Sequence, residues 1–136
     1  MRPRLLVAVA TCSLATACSS GPATTGDGSQ SFATDRGKLQ VELVLSPQPI
    51  AAGVDSAAYT VTDPTTHAPV DGLTLAIVPW MPAMGHGTSV VPTVTPAGSG
   101  QYTITDLSLF MPGEWQLRTK FTGQVDDSAE PTFSVP

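Results

Sequence analysis

The chain predicts an all-β fold, an immunoglobulin-like antiparallel sandwich of about seven strands. Three observations predict it. Apolar residues alternate with polar ones in several short runs, the period-2 signature of strands with one buried face. Thirteen prolines are spread along 136 residues and leave no room for long helices. Turn chemistry separates the runs at intervals suited to a sandwich of roughly 100 residues.

The elements follow in order. Residues 38–46 set Leu39, Val41, Leu43 and Leu45 against Lys38, Gln40, Glu42 and Val44. Pro47 and Pro49 end that run. Residues 57–62 form a second strand with Tyr59 and Val61 on one face. Asp63-Pro64-Thr65-Thr66 and Val70-Asp71-Gly72 are turns. Residues 73–78 are strongly apolar, with Leu73, Leu75 and Ile77 on one face. Residues 88–95 are β-branched and carry Pro92, which suits an edge or a bulge. Ala97-Gly98-Ser99-Gly100 turns the chain into residues 101–109, whose Tyr102 and Ile104 point inward. Residues 115–122 alternate Trp115, Leu117, Thr119 and Phe121 against Gln116, Arg118 and Lys120. Residues 132–135 close the domain with Phe133 and Val135.

The N-terminus carries a different message. Arg2 and Arg4 precede an apolar run over residues 5–17, too short to span a bilayer and laid out as a signal peptide. It ends in Leu14-Ala15-Thr16-Ala17-Cys18, which resembles a bacterial lipobox. The expected organisation is a lipoprotein signal peptide over residues 1–17, a lipidated Cys18 on a flexible tether over residues 18–37, and one domain over residues 38–136. Cys12 leaves with the signal, so no disulfide and no cysteine-based metal or redox motif remains. The expected product is exported and held at a membrane of the cell envelope by its lipid, on the periplasmic side or at the cell surface. Loss of Arg2 and Arg4 leaves four Lys and Arg against eleven Asp and Glu, a net charge of −7. That balance excludes nucleic acid as a partner.

The chemistry concentrates in two clusters. The methionines other than Met1 all lie in Pro79-Trp80-Met81-Pro82-Ala83-Met84-Gly85-His86-Gly87 and in Phe110-Met111-Pro112-Gly113-Glu114-Trp115. Thioether sulfur and imidazole nitrogen are ligands for soft metals such as Cu(I) or Ag(I), whereas Zn(II) prefers thiolate, imidazole and carboxylate. Met81, Met84, His86 and Met111 are therefore the candidate metal ligands, and Trp80 is a candidate for a cation–π contact with the bound ion. Loops at one end of a sandwich meet, which would bring Met111 to Met81 and Met84. The same three methionines also suit packing over the open end of the sandwich against Trp115 and Phe110. His67 belongs to a solvated loop, and Asp126, Asp127 and Glu130 to a solvated turn. No GxSxG elbow or HExxH motif is present, and the chain is expected not to be an enzyme.

The segment Met81-Pro82-Ala83-Met84-Gly85-His86-Gly87, then Gly100-Gln101-Tyr102, then Met111-Pro112-Gly113-Glu114-Trp115 resembles the YtkA-like domain, a family related to the FixH-like proteins. The resemblance runs over residues 38–135. It implies an exported or membrane-anchored immunoglobulin-like domain linked with copper handling or with assembly of copper-containing respiratory oxidases. The family's Met/His positions fall on Met81, Met84, His86 and Met111. The expected function is thus a lipid-anchored module that binds Cu(I), with copper not required for folding, and that hands it to an envelope copper-handling or oxidase-assembly protein. The alternative expectation is a metal-free interaction module that docks an envelope partner through the Trp/Met/Pro loop.

Overall fold

The computed structural model describes residues 23–25 and 28–136. The signal peptide expected over residues 1–17 and the lipidated Cys18 lie outside the described residues, as do residues 19–22, 26 and 27 of the tether. The described residues form strands and turns with no helix. The strands are β1 (Ala23–Thr25), β2 (Ser29–Ala33), β3 (Gln40–Ser46), β4 (Gly53–Thr62), β5 (Thr74–Met81), β6 (His86–Gly87), β7 (Thr93–Gly98), β8 (Gln101–Leu109), β9 (Gly113–Thr122), β10 (Asp127–Ala129) and β11 (Thr132–Val135).

They build two antiparallel sheets. One has the order β1-β2-β3-β4-β8-β7, the other β10-β9-β5-β6 with β11 also on β9. Eleven strands replace the expected seven, and the difference has a simple origin. The order β3-β4-β8-β7 facing β10/β11-β9-β5 is the four-on-three arrangement of an immunoglobulin constant-type domain. The strands beyond it are β1 and β2, the two-residue β6, and a last edge broken at Glu130 and Pro131 into β10 and β11.

Alternation decides what is buried. Val41, Leu43 and Leu45 of β3 are buried while Glu42, Val44 and Ser46 face out. Tyr59 and Val61, Leu75 and Ile77, Tyr102 and Ile104, and Leu117 and Phe121 join them in one continuous core. Tyr59 spans the two layers. Its ring stacks on Phe121 at 6.3 Å, and its hydroxyl lies 2.9 Å from the Thr119 hydroxyl.

Three expectations need correction. The tether does not run to residue 37. Ser29–Ala33 pairs with β3, Phe32 packs edge-on against Tyr59, and Thr34 is buried. One large apolar residue in a polar stretch is enough when the neighbouring strand offers a ladder of backbone partners. The expected strand over residues 88–95 is also displaced to Thr93–Gly98. The Thr88 hydroxyl donates to Val90 O at 2.9 Å and accepts from Val90 N–H at 3.2 Å, which curls residues 88–90 away from a ladder.

The expected solvated turn at Asp126 and Asp127 is likewise half wrong, because Asp127 is buried. Its carboxylate accepts from the Thr34 hydroxyl at 2.7 Å and from the backbone N–H groups of Ser128, Arg36 and Lys38 at 2.9–3.2 Å. Burial alone would raise its pKa. The hydrogen bonds outweigh burial, and the group titrates below the ordinary carboxylate value. This clasp joins the turn after β2 to the edge of the opposite sheet.

Candidate metal centre

Strand register fixes which ends meet. Trp80 pairs with Gln116 and Gly53 pairs with Leu109, so β5 and β8 finish where β4 and β9 begin. Residues 110–112 then cross between the sheets at that pole, beside the loop that follows Met81. Both methionine clusters therefore lie at one end of the sandwich, as the sequence suggested.

The first cluster is a tight hairpin. Met81 O accepts from Met84 N–H at 3.2 Å and from Gly85 N–H at 3.0 Å. Pro82, which has no N–H to satisfy, opens the turn, and Gly85 closes it at φ 67°. Met81 and His86 emerge directly opposite one another. Residues so paired project from the same sheet face with Cβ atoms about 4.5–5.5 Å apart. Met81 is 3% exposed and forms the floor of the pole, while His86 is exposed at its rim. His86 Nδ1 lies 3.3 Å from Gly87 O. A carbonyl can only accept, so in the tautomer that makes this contact Nδ1 carries the proton and the Nε2 lone pair is left for a ligand.

The second cluster comes to meet Met81. Gly113 opens β9 at φ 130°, and a Cβ built there would stand 3.1 Å from Met81 Cε. The Met81 side chain thus reaches across to the start of β9, two residues from Met111. Trp115 is buried, and its indole N–H donates to Met111 O at 2.9 Å, which pins this loop to the core. Met111 itself is 38% exposed and Met84 52% exposed. The structure accordingly brings Met81 and His86 together on one face, brings the Met111 loop against Met81, and leaves Met84 exposed on the turn between Met81 and His86. Trp115 belongs to the core, as its alternating strand indicated.

Trp80 does not take the place expected of it. Strand alternation turns it to the face opposite Met81 and His86. There its ring is covered by the Arg118 guanidinium, 4.3 Å from the ring centroid. The cation–π partner of Trp80 is this arginine, on the outer surface of the second sheet. Gly87 is needed beside it, because a Cβ at that position would collide with Pro79 O and touch the Trp80 ring.

Among the described residues no group of three or more His, Cys, Asp or Glu side chains could hold a metal ion. Met81, Met84, His86 and Met111 offer thioethers and one imidazole, a set that matches soft monovalent ions better than hard or borderline ones. His67, in the loop after β4, is exposed and donates its backbone N–H to Asp63 O at 2.9 Å, remote in sequence from any sulfur.

One residue at this end was not singled out from the sequence. Asp55 of β4 sits in the inward row with Ala57 and Tyr59 and is 7% exposed. Its Oδ2 has no hydrogen-bond partner, and burial raises its pKa. Only the two-residue period, counted from Tyr59 back to Asp55, could have flagged it.

Most of the exposed large apolar residues, Val44 and Val78 excepted, also gather here. Val54, Met84, Val90, Val91, Phe110 and Met111 all lie on the loops and strand ends of the pole. No curated protein and no solved structure matches the chain. Residues 35–120 match the family model described as YtkA-like, from just before β3 through most of β9. That is well over half of the 136 residues, and the chain belongs to the YtkA-like family.

Proposed function

We propose that this protein is a lipid-anchored envelope module that binds Cu(I) through Met81, Met84, His86 and Met111, for copper handling or delivery to an envelope partner. The observation that carries the reading is the pairing of Met81 with His86, together with the approach of Met81 Cε to Gly113 at the foot of the Met111 loop. A buried thioether, two accessible thioethers and an imidazole with Nε2 available offer a coordination set that is neutral before the ion arrives. Neutral thioethers need no deprotonation to bind a metal ion, so their part of the coordination set does not depend on pH. The lipid on Cys18 would hold the module at the membrane without a spanning helix.

The test is a Cu(I) titration of the reduced chain against a competing chelator. The reading expects His86→Ala with Met84→Leu and Met111→Leu to weaken binding at least tenfold while the fold is retained, since all three residues are exposed. Equal affinity of this variant and the wild type would remove the reading.

A second reading is favoured by the exposed apolar crown of Val54, Met84, Val90, Val91, Phe110 and Met111. A patch of that composition suits docking of an envelope protein without metal. In that case Val91→Asp and Phe110→Asp abolish partner capture with or without chelator, and leave Cu(I) affinity at zero throughout.

A further inference from the structure

The sulfur of the described residues is confined to one pole. Met81, Met84 and Met111 all lie there, and both cysteines of the sequence, Cys12 and Cys18, fall outside the described residues. The three thioethers differ in access. Met81 is buried, whereas Met84 and Met111 are exposed. A thioether is oxidised to a sulfoxide by any peroxide that can reach the sulfur, so exposure sorts these three into two that react and one that is shielded. The other readily oxidised side chains are covered. Tyr59, Tyr102 and Trp115 are buried, and one face of the Trp80 ring lies under the Arg118 guanidinium.

The two exposed thioethers hold no part of the scaffold. The turn after β5 is closed on Met81 O, which accepts from Met84 N–H and Gly85 N–H. The loop before β9 is pinned at Met111 O, which accepts from the Trp115 indole N–H. Both anchors are backbone oxygens, so an oxygen added at either exposed sulfur breaks neither of them. Met81 is the opposite case. It belongs to the core, and its Cε packs close against Gly113. A sulfoxide oxygen on Met81 would be buried with it, which is costly unless a hydrogen-bond donor reaches that oxygen.

We propose that Met84 and Met111 form an oxidation site through which peroxides control this pole. At each residue a sulfur lone pair attacks one oxygen of hydrogen peroxide and the O–O bond breaks. The S–O bond forms, and the other oxygen leaves as water with both protons. The sulfur gives up two electrons and the peroxide takes them. The effect on metal rests on the proposed Cu(I) set. Two of its three soft donors become sulfoxides, whose oxygen is a hard donor unsuited to Cu(I). Met81 and His86 alone then hold the ion, and it leaves more readily. The same step turns two members of the exposed apolar crown polar. A methionine sulfoxide reductase reverses it, with the oxygen leaving as water and a dithiol oxidised to a disulfide.

The experiment treats the full chain, free of metal and with a chelator present, with hydrogen peroxide. Catalase stops the reaction at timed points, and tandem mass spectrometry follows each methionine. Met84 and Met111 are expected to gain one oxygen at least about tenfold faster than Met81. Circular dichroism stays that of the folded chain, and Met81 reacts as fast as the others once urea unfolds it. Cu(I) affinity of the doubly oxidised chain, measured by chelator competition, falls about tenfold. It reaches the level of untreated Met84→Leu with Met111→Leu, a variant that peroxide weakens no further. The two epimer-specific reductases with dithiothreitol restore the affinity. Equal reaction of Met81 in the folded chain, or unfolding on oxidation of Met84 and Met111, would overturn the oxidation site. Undiminished Cu(I) affinity after both have reacted would overturn the control of the metal. A chain that binds no Cu(I) before treatment defeats the Cu(I) reading and the release with it, while the masses still decide the oxidation site.

Discussion

Met81 has two duties that separate on substitution. It fills the end of the core at 3% exposure, and it carries a sulfur to the Met/His pole. Met81→Ala removes both, and truncating a buried methionine costs about 2–5 kcal/mol. Met81→Leu keeps the volume, costs less than about 1.5 kcal/mol, and removes only the thioether. Urea unfolding with Cu(I) titration on the two variants should show a large stability gap but the same loss of affinity. Two buried carboxylates make opposite predictions about pH. The Asp55 pKa is raised by burial, so the folded state holds its proton longer than the unfolded chain, and stability falls as pH rises above about 3.8. The Asp127 pKa is lowered overall, so its stabilisation is present above about 3.8 and is lost as pH falls through its lower folded value. Thermal melts from pH 2.5 to 7 should show Asp55→Asn gaining on the wild type towards neutral pH, and Asp127→Asn losing most at neutral pH.

The hairpin of β5 and β6 is the element on which the metal reading depends. Its sequence dictates much of it: Pro82 opens the turn, Gly85 takes the left-handed conformation, and Gly87 lets β6 lie against Pro79 and Trp80. Gly87→Ala should push β6 off β5 and part His86 from Met81. Cu(I) affinity is then expected to fall as far as in His86→Ala, while the melting temperature shifts by only a few degrees. A wild-type affinity in Gly87→Ala would show that the pairing is not needed. Several elements were legible before the structure because burial follows a period of two wherever one sheet face is solvated. Residues 40–46, 101–105 and 115–122 are of this kind, whereas residues 107–109 are buried in succession after the break at Asp106. Elements fixed by distant partners were not legible. Ser29–Ala33 becomes a strand because β3 offers an open edge and Phe32 finds Tyr59. Residues 88–90 leave the ladder because one hydroxyl captures the backbone of Val90.

At the scale of the whole molecule the sandwich separates its surfaces. One pole presents sulfur, imidazole and exposed apolar groups, the outer face of one sheet collects the cations, and the remainder is acidic. The grouping of Met81, His86 and Met111 at one pole was legible, since loops that join strand ends in a sandwich must converge. The face taken by Trp80 was not read from the sequence, because the apolar run ends at Val78; the strand continues to Met81, so Trp80 and Met81 point apart, and Arg118, paired with Val78, reaches the Trp80 ring diagonally. Nor was the burial of Asp127, because its four donors come from residues 34–38 and 128. Membrane attachment belongs to this scale as well. Cys18→Ser should move the protein from the detergent phase to the aqueous phase in a cloud-point partition without altering Cu(I) affinity, and detergent partition that survives the substitution would count against the lipid. X-ray absorption at the copper edge on the Cu(I)-loaded chain tests the central claim most directly. A first shell of sulfur scatterers with one imidazole, losing the imidazole in His86→Ala, is the predicted spectrum. A shell of oxygen and nitrogen alone, or a spectrum unchanged in His86→Ala and in Met81→Leu, would contradict it.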